Sequence, residues 1–524
     1  MSYSRMDRGP SPPRLVAVLD MGASAIRLVI AEIGPKQALR IVDEASRGVL
    51  LGRDTFSTGV IRSETMDASL AAVLGFRQLI DEYGIKDIRA VATSAVREAR
   101  NAEMFLDRIR RRTGIAFEII NEAEESRLIL LAVRNAVGNQ PSFKGAWTLL
   151  AEVGGGSTDL TLLRRGEAKI SGVYALGAVR LRQQLDLRRH SHELQLGLLK
   201  RYVANVIEEI RGEIPLRRVT HMIALGGDVR FAAAQLIEQG LAGSDRDLPR
   251  AEFLAFCDQV ERLDEEALVE RFRLSSVDAQ TFVPAMLIYR ALFAETAARR
   301  LVVADASLRA GVALDLAEPG GRLGAADFEQ QVLASADALG QKYRFDGAHG
   351  LHVAELATSL FDQLREEHGL GDRERLLLRV AALLHDIGTY VNLRAHNKHS
   401  QYLLASSQIF GLSDTETAIV GNIARYHRRG LPQTSHLPYI ALDRLDRLIV
   451  DKLSAILRLA NALDAEHLGK VRSAQLSRGA ETWVLELECT GDVTMELQAA
   501  QARMDFFTQI FGRQVIVRLA GVGV

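Results

Sequence analysis

Short runs of β-branched and apolar residues alternate along the chain with longer stretches of helical spacing. After a polar, Pro-containing start through Arg14, LVAVLDMGASAIRLVIAEI sets two apolar runs on either side of a glycine-containing turn. That pattern predicts strand, tight turn, strand, and RIVDEAS with GVLLGR extends it. Between Ser63 and Tyr83 the spacing of Leu70, Val73, Leu74, Phe76, Leu79 and Ile80 is helical, and IRAVATSAVREA reads as a strand entering a helix. A second unit begins near Gly138, where GNQPSFKG reads as a linker and WTLLAEVGGGSTDLTLLRRGEAKI repeats the strand, glycine turn and strand. RYVANVIEEIRGEI is helical, and VTHMIALGGDVRFAAAQLI supplies a third strand, paired glycines and a helix. The order is α/β, with three glycine turns expected to converge on one ligand.

From about Ala325 to Leu468 the spacing turns almost wholly helical, as in LHVAELATSLFDQL, RLLLRVAALLHDI and DRLIVDKLSAILRLANAL. Beyond it, TWVLELECTG and TMELQAA read as short strands, QARMDFFTQIFG as a helix and QVIVRLA as a terminal strand. The expected division is a disordered tail over 1–14, lobes over 15–138 and 139–320, an all-α domain over 325–470 and a small α+β domain over 471–524.

The 524 residues balance 65 Lys+Arg against 66 Asp+Glu, so no global charge draws the chain to nucleic acid or membrane, and any polyanion site must be local. Two cysteines, Cys257 and Cys489, build neither a disulfide framework nor a thiolate metal cage, which fits a reducing compartment. No secretory signal or membrane-length apolar run is apparent, so a soluble, cytoplasmic protein is expected.

Candidate chemistry gathers at the turns. Gly154, Gly155 and Gly156 allow close backbone approach, and their N–H groups suit phosphate oxygens, with Ser157 and Thr158 adding hydroxyls. Gly22 and Ser24 in the first turn and Gly226 and Gly227 in the third are the corresponding candidates. Asp20, Glu152 and Asp159 place carboxylates around these turns, suited to Mg²⁺ beside a polyphosphate. Arg97 follows a strand and carries the planar fork that clamps phosphate.

Taken in order, LDMGASAIRLVI, ATSAVREARN, FEIINEAEESRLI, EVGGGSTDL, YALGAVRL and ALGGDVRF resemble the exopolyphosphatase and guanosine pentaphosphate phosphatase family, from roughly Leu15 to the end. The resemblance implies a duplicated actin-like fold of the acetate kinase, sugar kinase and heat-shock 70 type. It also implies hydrolysis of a terminal phosphoanhydride with Mg²⁺ or Mn²⁺, and a homodimer. Glu125, in EAEESRL, takes the family's base position, with Glu124 as its neighbour. By that resemblance Glu125 orients or deprotonates water, Arg97 and the turn N–H groups stabilise the phosphoryl charge, and Glu152 and Asp159 position the metal.

Three loops depart from the family. The first usually reads DxGSNS, and Asp20-Met21-Gly22-Ala23-Ser24-Ala25 lacks two of its hydroxyls and an amide. Glu152 and Asp159 exchange the usual Asp and Glu, and Asp228 stands where a small or hydroxyl residue is commoner. The expected function is an exopolyphosphatase. A guanosine pentaphosphate 5'-phosphatase and a catalytically weak polyphosphate or nucleotide sensor are the alternatives.

The helical region carries His352, His385-Asp386, His399 and His427, a set of imidazoles and a carboxylate suited to a divalent ion. With HVAELA, HNKHSQYLL, ARYHRRG and LRLANALD it resembles the HD-like domain of long exopolyphosphatases. In metal-dependent HD hydrolases an Asp ligand occupies the position of Asn461, and Asp464 lies one turn later. The resemblance therefore leaves open a retained second metal or a role in dimerisation and in extending a polyphosphate path. For the latter, Arg425, His427, Arg428 and Arg429 supply a cationic patch.

Overall fold

The computed structural model describes residues 14–34, 39–138, 140, 144, 147–184, 192–317, 325–428, 430–479 and 482–520. The tail expected before Leu15 lies outside them apart from Arg14, as do Arg429 and most of the linker after Gly138. The chain divides into two compact units, Met1–Phe328 and Glu329–Val524.

The first unit holds two sheets. In one, β1 (Arg14–Met21), β2 (Ala25–Ile33), β3 (Leu39–Gly48), β4 (Asp87–Ala92) and β5 (Phe117–Ile119) lie in the order β3-β2-β1-β4-β5. In the other, β6 (Thr148–Val153), β7 (Thr158–Arg164), β8 (Glu167–Tyr174), β9 (His221–Leu225), β10 (Asp247–Pro249) and β11 (Arg300–Val303) run β8-β7-β6-β9-β11-β10. Each sheet has a central strand, β1 or β6, paired antiparallel to the next strand and parallel to β4 or β9. Both are almost wholly buried, as a near-continuous apolar run requires of a strand covered on two faces.

The duplication extends to single hydrogen bonds. The Gly22 N–H donates to Ala25 O at 3.1 Å, and the Gly154 N–H donates to Ser157 O at 2.9 Å. Asp20 then pairs with Arg27 across the first hairpin as Glu152 pairs with Asp159 across the second. The helix Leu308–Leu316 packs against β1 and the helix Glu122–Val137. A Cβ at Gly311 would collide with the Leu128 carbonyl, so only glycine allows that approach.

GVLLGR does not continue the strand pattern. β3 ends at Gly48, Leu50 takes a left-handed φ of 48°, and a helix runs from Leu51 to Thr58.

In the second unit, the helices Gly347–Gln363, Asp372–Leu384, His396–Ala405, Asp414–Arg425 and Arg444–Ala462 pack around a shared apolar centre. A small sheet, β12 (Val471–Arg478), β13 (Thr482–Cys489) and β14 (Gln514–Leu519), follows in sequence order. TMELQAA, expected as a strand, lies in the helix Thr494–Gln501. Its Met495 is exposed, and the buried residues are Glu496 and Ala500, four apart, so the alternation of Met and Leu does not mark a two-sided strand. Among the described residues no helix is long and apolar enough to cross a membrane.

Candidate active site

β4 and β5 are parallel neighbours, and the chain leaves both at the same edge of the sheet. Arg97 ends the short helix after β4, and Glu125 lies in the first turn of the helix after β5, whose Asn121 cap accepts from the Glu124 N–H at 2.9 Å. Adjacent strands thus deliver a cation and a carboxylate to one place. Arg97 Nη1 lies 3.3 Å from Glu125 Oε2 and donates to Ile120 O at 2.8 Å, while its Nε reaches Glu122 Oε1 at 2.7 Å. Glu124 faces elsewhere, bonding Arg127 at 2.8 Å in a network with Arg89 and Asp315.

The glycine turns meet. A Cβ on Gly155 would lie 3.0 Å from Ala23 Cβ and 3.4 Å from the Ser24 nitrogen, so the first two turns are in contact. A Cβ on Gly226, at φ 121°, would lie 3.3 Å from Val153 O, bringing the third turn to the end of β6. Tyr289 ties these ends together beneath the turns, its hydroxyl accepting from the Val153 N–H at 3.0 Å and donating to Leu225 O. Gly227 begins the helix Gly227–Glu238.

Not every candidate donor is available. The Gly22 and Gly154 N–H groups close their own turns, and the Thr158 hydroxyl bonds the Leu176 carbonyl. The amides of Ala23, Ser24, Gly155 and Gly156 have no hydrogen-bond partner among the described residues, and these four suit an anion. Ser157 Oγ lies 3.3 Å from Asp159 Oδ2.

The carboxylates burden one another. Burial, then the charge of Asp159, pushes Glu125 up to about 8 against the opposing pull of Arg97. Burial and Glu125 raise Glu152 to about 7, and burial and Glu152 raise Asp159 to about 7. Glu152 Oε2 is buried without a hydrogen-bond partner among the described residues. An orphaned carboxylate oxygen among mutually repelling carboxylates fits a hard, oxygen-seeking dication such as Mg²⁺. Asp20, expected as a third ligand, has its Oδ2 held by Arg309 Nη1 at 3.1 Å.

Three arginines of this cleft escaped the sequence reading: Arg27, Arg230 and Arg309. Arg27 opposes the charge of Asp228, whose burial raises it to about 6, so the cation needed beside that unusual third-loop residue is present. Arg230 opposes the charge of Glu152. Arg309 is the second residue of its helix, after the Ser307 cap and Leu308, 289 residues from Asp20, and no local motif marks it.

A family model for the Ppx/GppA phosphatases matches residues 29–319, and a model for domain III of the same phosphatases matches 333–501. The chain belongs to the Ppx/GppA phosphatase family. It is 24% identical over 507 residues to a guanosine-5'-triphosphate,3'-diphosphate pyrophosphatase of Vibrio vulnificus, covering 94% of this chain and 96% of that one. It is also 24% identical over 450 residues to the Vibrio campbellii protein of the same name, covering 84% and 86%. Among solved structures, an exopolyphosphatase from Cytophaga hutchinsonii aligns at 23% identity and a TM-score of 0.53, covering 58% of this chain and 98% of that one. At that identity the likeness speaks to the fold alone. Family membership supports phosphoanhydride-cleaving chemistry in general terms, which the convergent carboxylates, arginine and free turn amides suit.

The helical unit brings together a different set of histidines from the one expected. His385, Asp386 and His427 do cluster, but their partners are His349 and His396. His352 and His399, one turn along the same helices, take no part in the cluster's hydrogen bonds. Among the described residues two groups of side chains could hold a metal ion, His349–Asp386–His467 and His385–Asp386–His427. Arg428 is exposed, and Arg425 Nη1 is engaged by Gln401 at 2.5 Å.

Proposed function

We propose that the chain hydrolyses the terminal phosphoanhydride of guanosine pentaphosphate, with Mg²⁺ or Mn²⁺ held by Glu152 and Asp159. The observation that carries the reading is the Glu125 carboxylate, set between the Arg97 guanidinium at 3.3 Å and the Glu152–Asp159 pair. Glu125 in its ionised form accepts a proton from water as the water oxygen bonds to the terminal phosphorus. The bridging P–O bond breaks, and the electron pair leaves on the shortened substrate. Arg97 and the amides of Ala23, Ser24, Gly155 and Gly156 hold the equatorial oxygens as charge spreads over them. A bound dication would neutralise phosphate charge and bring Glu152 and Asp159 to their ionised forms.

The pentaphosphate is placed first because the Vibrio relatives named for it match along nearly the whole chain, both units included. Inorganic polyphosphate is the second reading, favoured by the family motifs and by the free amides in two abutting turns, which suit any terminal phosphoryl group. The test is phosphate release from both substrates in parallel with Mg²⁺, comparing wild type with Glu125→Gln. Release that vanishes in the variant supports the hydrolase and ranks the substrates. Binding without release in wild type moves the reading to a sensor. A homodimer and a cytoplasmic location complete the proposal, and a monomeric mass by light scattering would overturn the first.

A further inference from the structure

The segment YALGAVRL, residues 174–181, packs against the second glycine turn. The Ala178 N–H donates to Gly154 O at 2.9 Å, the Val179 and Arg180 N–H groups donate to Gly155 O at 2.9 and 3.0 Å, and Arg180 Nε donates to Gly156 O at 2.6 Å. Three successive carbonyls of the turn thus face the helix Ala178–Gln184. Gly177 makes the approach possible, since a Cβ there would lie 2.4 Å from Gly155 O and from the Gly156 carbonyl carbon.

In a trans peptide the N–H points opposite to the C=O. Holding the Gly154, Gly155 and Gly156 carbonyls on one side therefore sends the Gly155, Gly156 and Ser157 N–H groups to the other. The Ser157 N–H, like the other two, has no hydrogen-bond partner among the described residues. Three glycines in a row do not fix their own peptide planes, because both signs of φ are open to each, so the hydrogen bonds from outside the turn set these orientations. Backbone amides hold two of the three carbonyls. Among the described residues Gly156 O is held by the Arg180 side chain alone.

Arg180 is itself anchored from the first lobe. Its Nη2 reaches Glu98 Oε1 at 2.7 Å, and its guanidinium carbon lies 3.9 Å from the centroid of the Phe56 ring. The planar fork serves both hydrogen bonds at once while its face lies on the ring, a combination that a single ammonium does not supply.

We propose that Arg180 is a positioning residue for the phosphoryl site: by holding the Gly156 carbonyl it turns the Ser157 N–H toward the bound phosphate, adding a fifth amide to those of Ala23, Ser24, Gly155 and Gly156. This role rests on the proposed phosphoryl chemistry of the turns. Arg180 acts through that peptide rather than on the substrate. The competing role is structural, an ion pair with Glu98 that joins the lobes.

Arg180→Met and Glu98→Gln separate the two roles, because both lose the ion pair and only the first frees the Gly156 carbonyl. Circular dichroism checks that both are folded. In a Glu125→Gln background, which prevents turnover, tripolyphosphate with Mg²⁺ is titrated by calorimetry. Arg180→Met is expected to weaken binding about tenfold, as the loss of a hydrogen bond to a charged group does. Glu98→Gln should stay within about threefold, the scale of an exposed ion pair. With Glu125 in place, kcat/KM for phosphate release should fall about 10²-fold in Arg180→Met alone. Equal losses in the two variants, or an unchanged affinity in Arg180→Met, overturn the positioning role. Phosphate release absent from wild type overturns the hydrolase reading only, and the binding comparison still decides Arg180. No tripolyphosphate binding by the Glu125→Gln chain overturns both. Should Arg180→Met fail to fold, Arg180→Lys, whose one ammonium cannot hold Glu98 and Gly156 O together, takes its place with the same expected losses.

Discussion

The Arg97 guanidinium lies 3.3 Å from Glu125 Oε2 and, through its other edge, 2.7 Å from Glu122 Oε1. It is the opposing charge that most restrains the upward shift of Glu125. Replacing it with methionine keeps much of the stem packing and removes that restraint. The acidic limb of the pH–rate profile for phosphate release is expected to move to higher pH in Arg97→Met. The plateau should fall about 10²-fold or more as a phosphoryl clamp is lost. An unshifted limb would mean that Glu125 does not set it.

Glu125→Gln separates catalysis from stability. Release is expected to drop by about 10²- to 10⁴-fold. The same change removes a charge that burial and Asp159 disfavour, so the melting temperature near pH 8 should hold or rise. A clear loss of stability there would argue that the carboxylate is a structural partner.

Glu125, Glu152 and Asp159 all hold protons more tightly when folded. Between their ordinary values of 3.8 to 4.5 and their folded values of about 7 to 8 the folded chain binds more protons than the unfolded one. Stability from these groups is therefore full below the lower values and is lost as pH rises through the upper ones. In chelator, the melting temperature should decline across that window, and saturating Mg²⁺ should flatten the decline. Mg²⁺ binding should also release protons, detected by calorimetry in buffers of different ionisation heat.

Arg309 and Asp20 form a partly buried pair whose side chains retain 11% and 10% exposure. Arg309→Met leaves the Asp20 carboxylate without its cation, and a loss of about 3 kcal/mol in denaturant unfolding is expected. Asp20→Asn with Arg309→Met should recover part of it. Strict additivity of the two changes would show that they do not interact.

The sequence by itself determined the duplicated strand-turn-strand units, because a central strand buried on both faces needs an unbroken apolar run and each turn needs its glycines. It also marked Arg97, Glu152 and Asp159 as candidates by their places beside apolar strands and glycine turns, and Glu125 through the family resemblance of EAEESRL. Tertiary structure decided the rest. Arg309 reaches Asp20 across 289 residues, and nothing local to either announces the other. His349 and His352, like His396 and His399, are three apart on their helices and share a face. Spacing cannot choose between members of such a pair; the rotation each helix adopts as its apolar side packs chooses for it, and that rotation turned His349 and His396 inward.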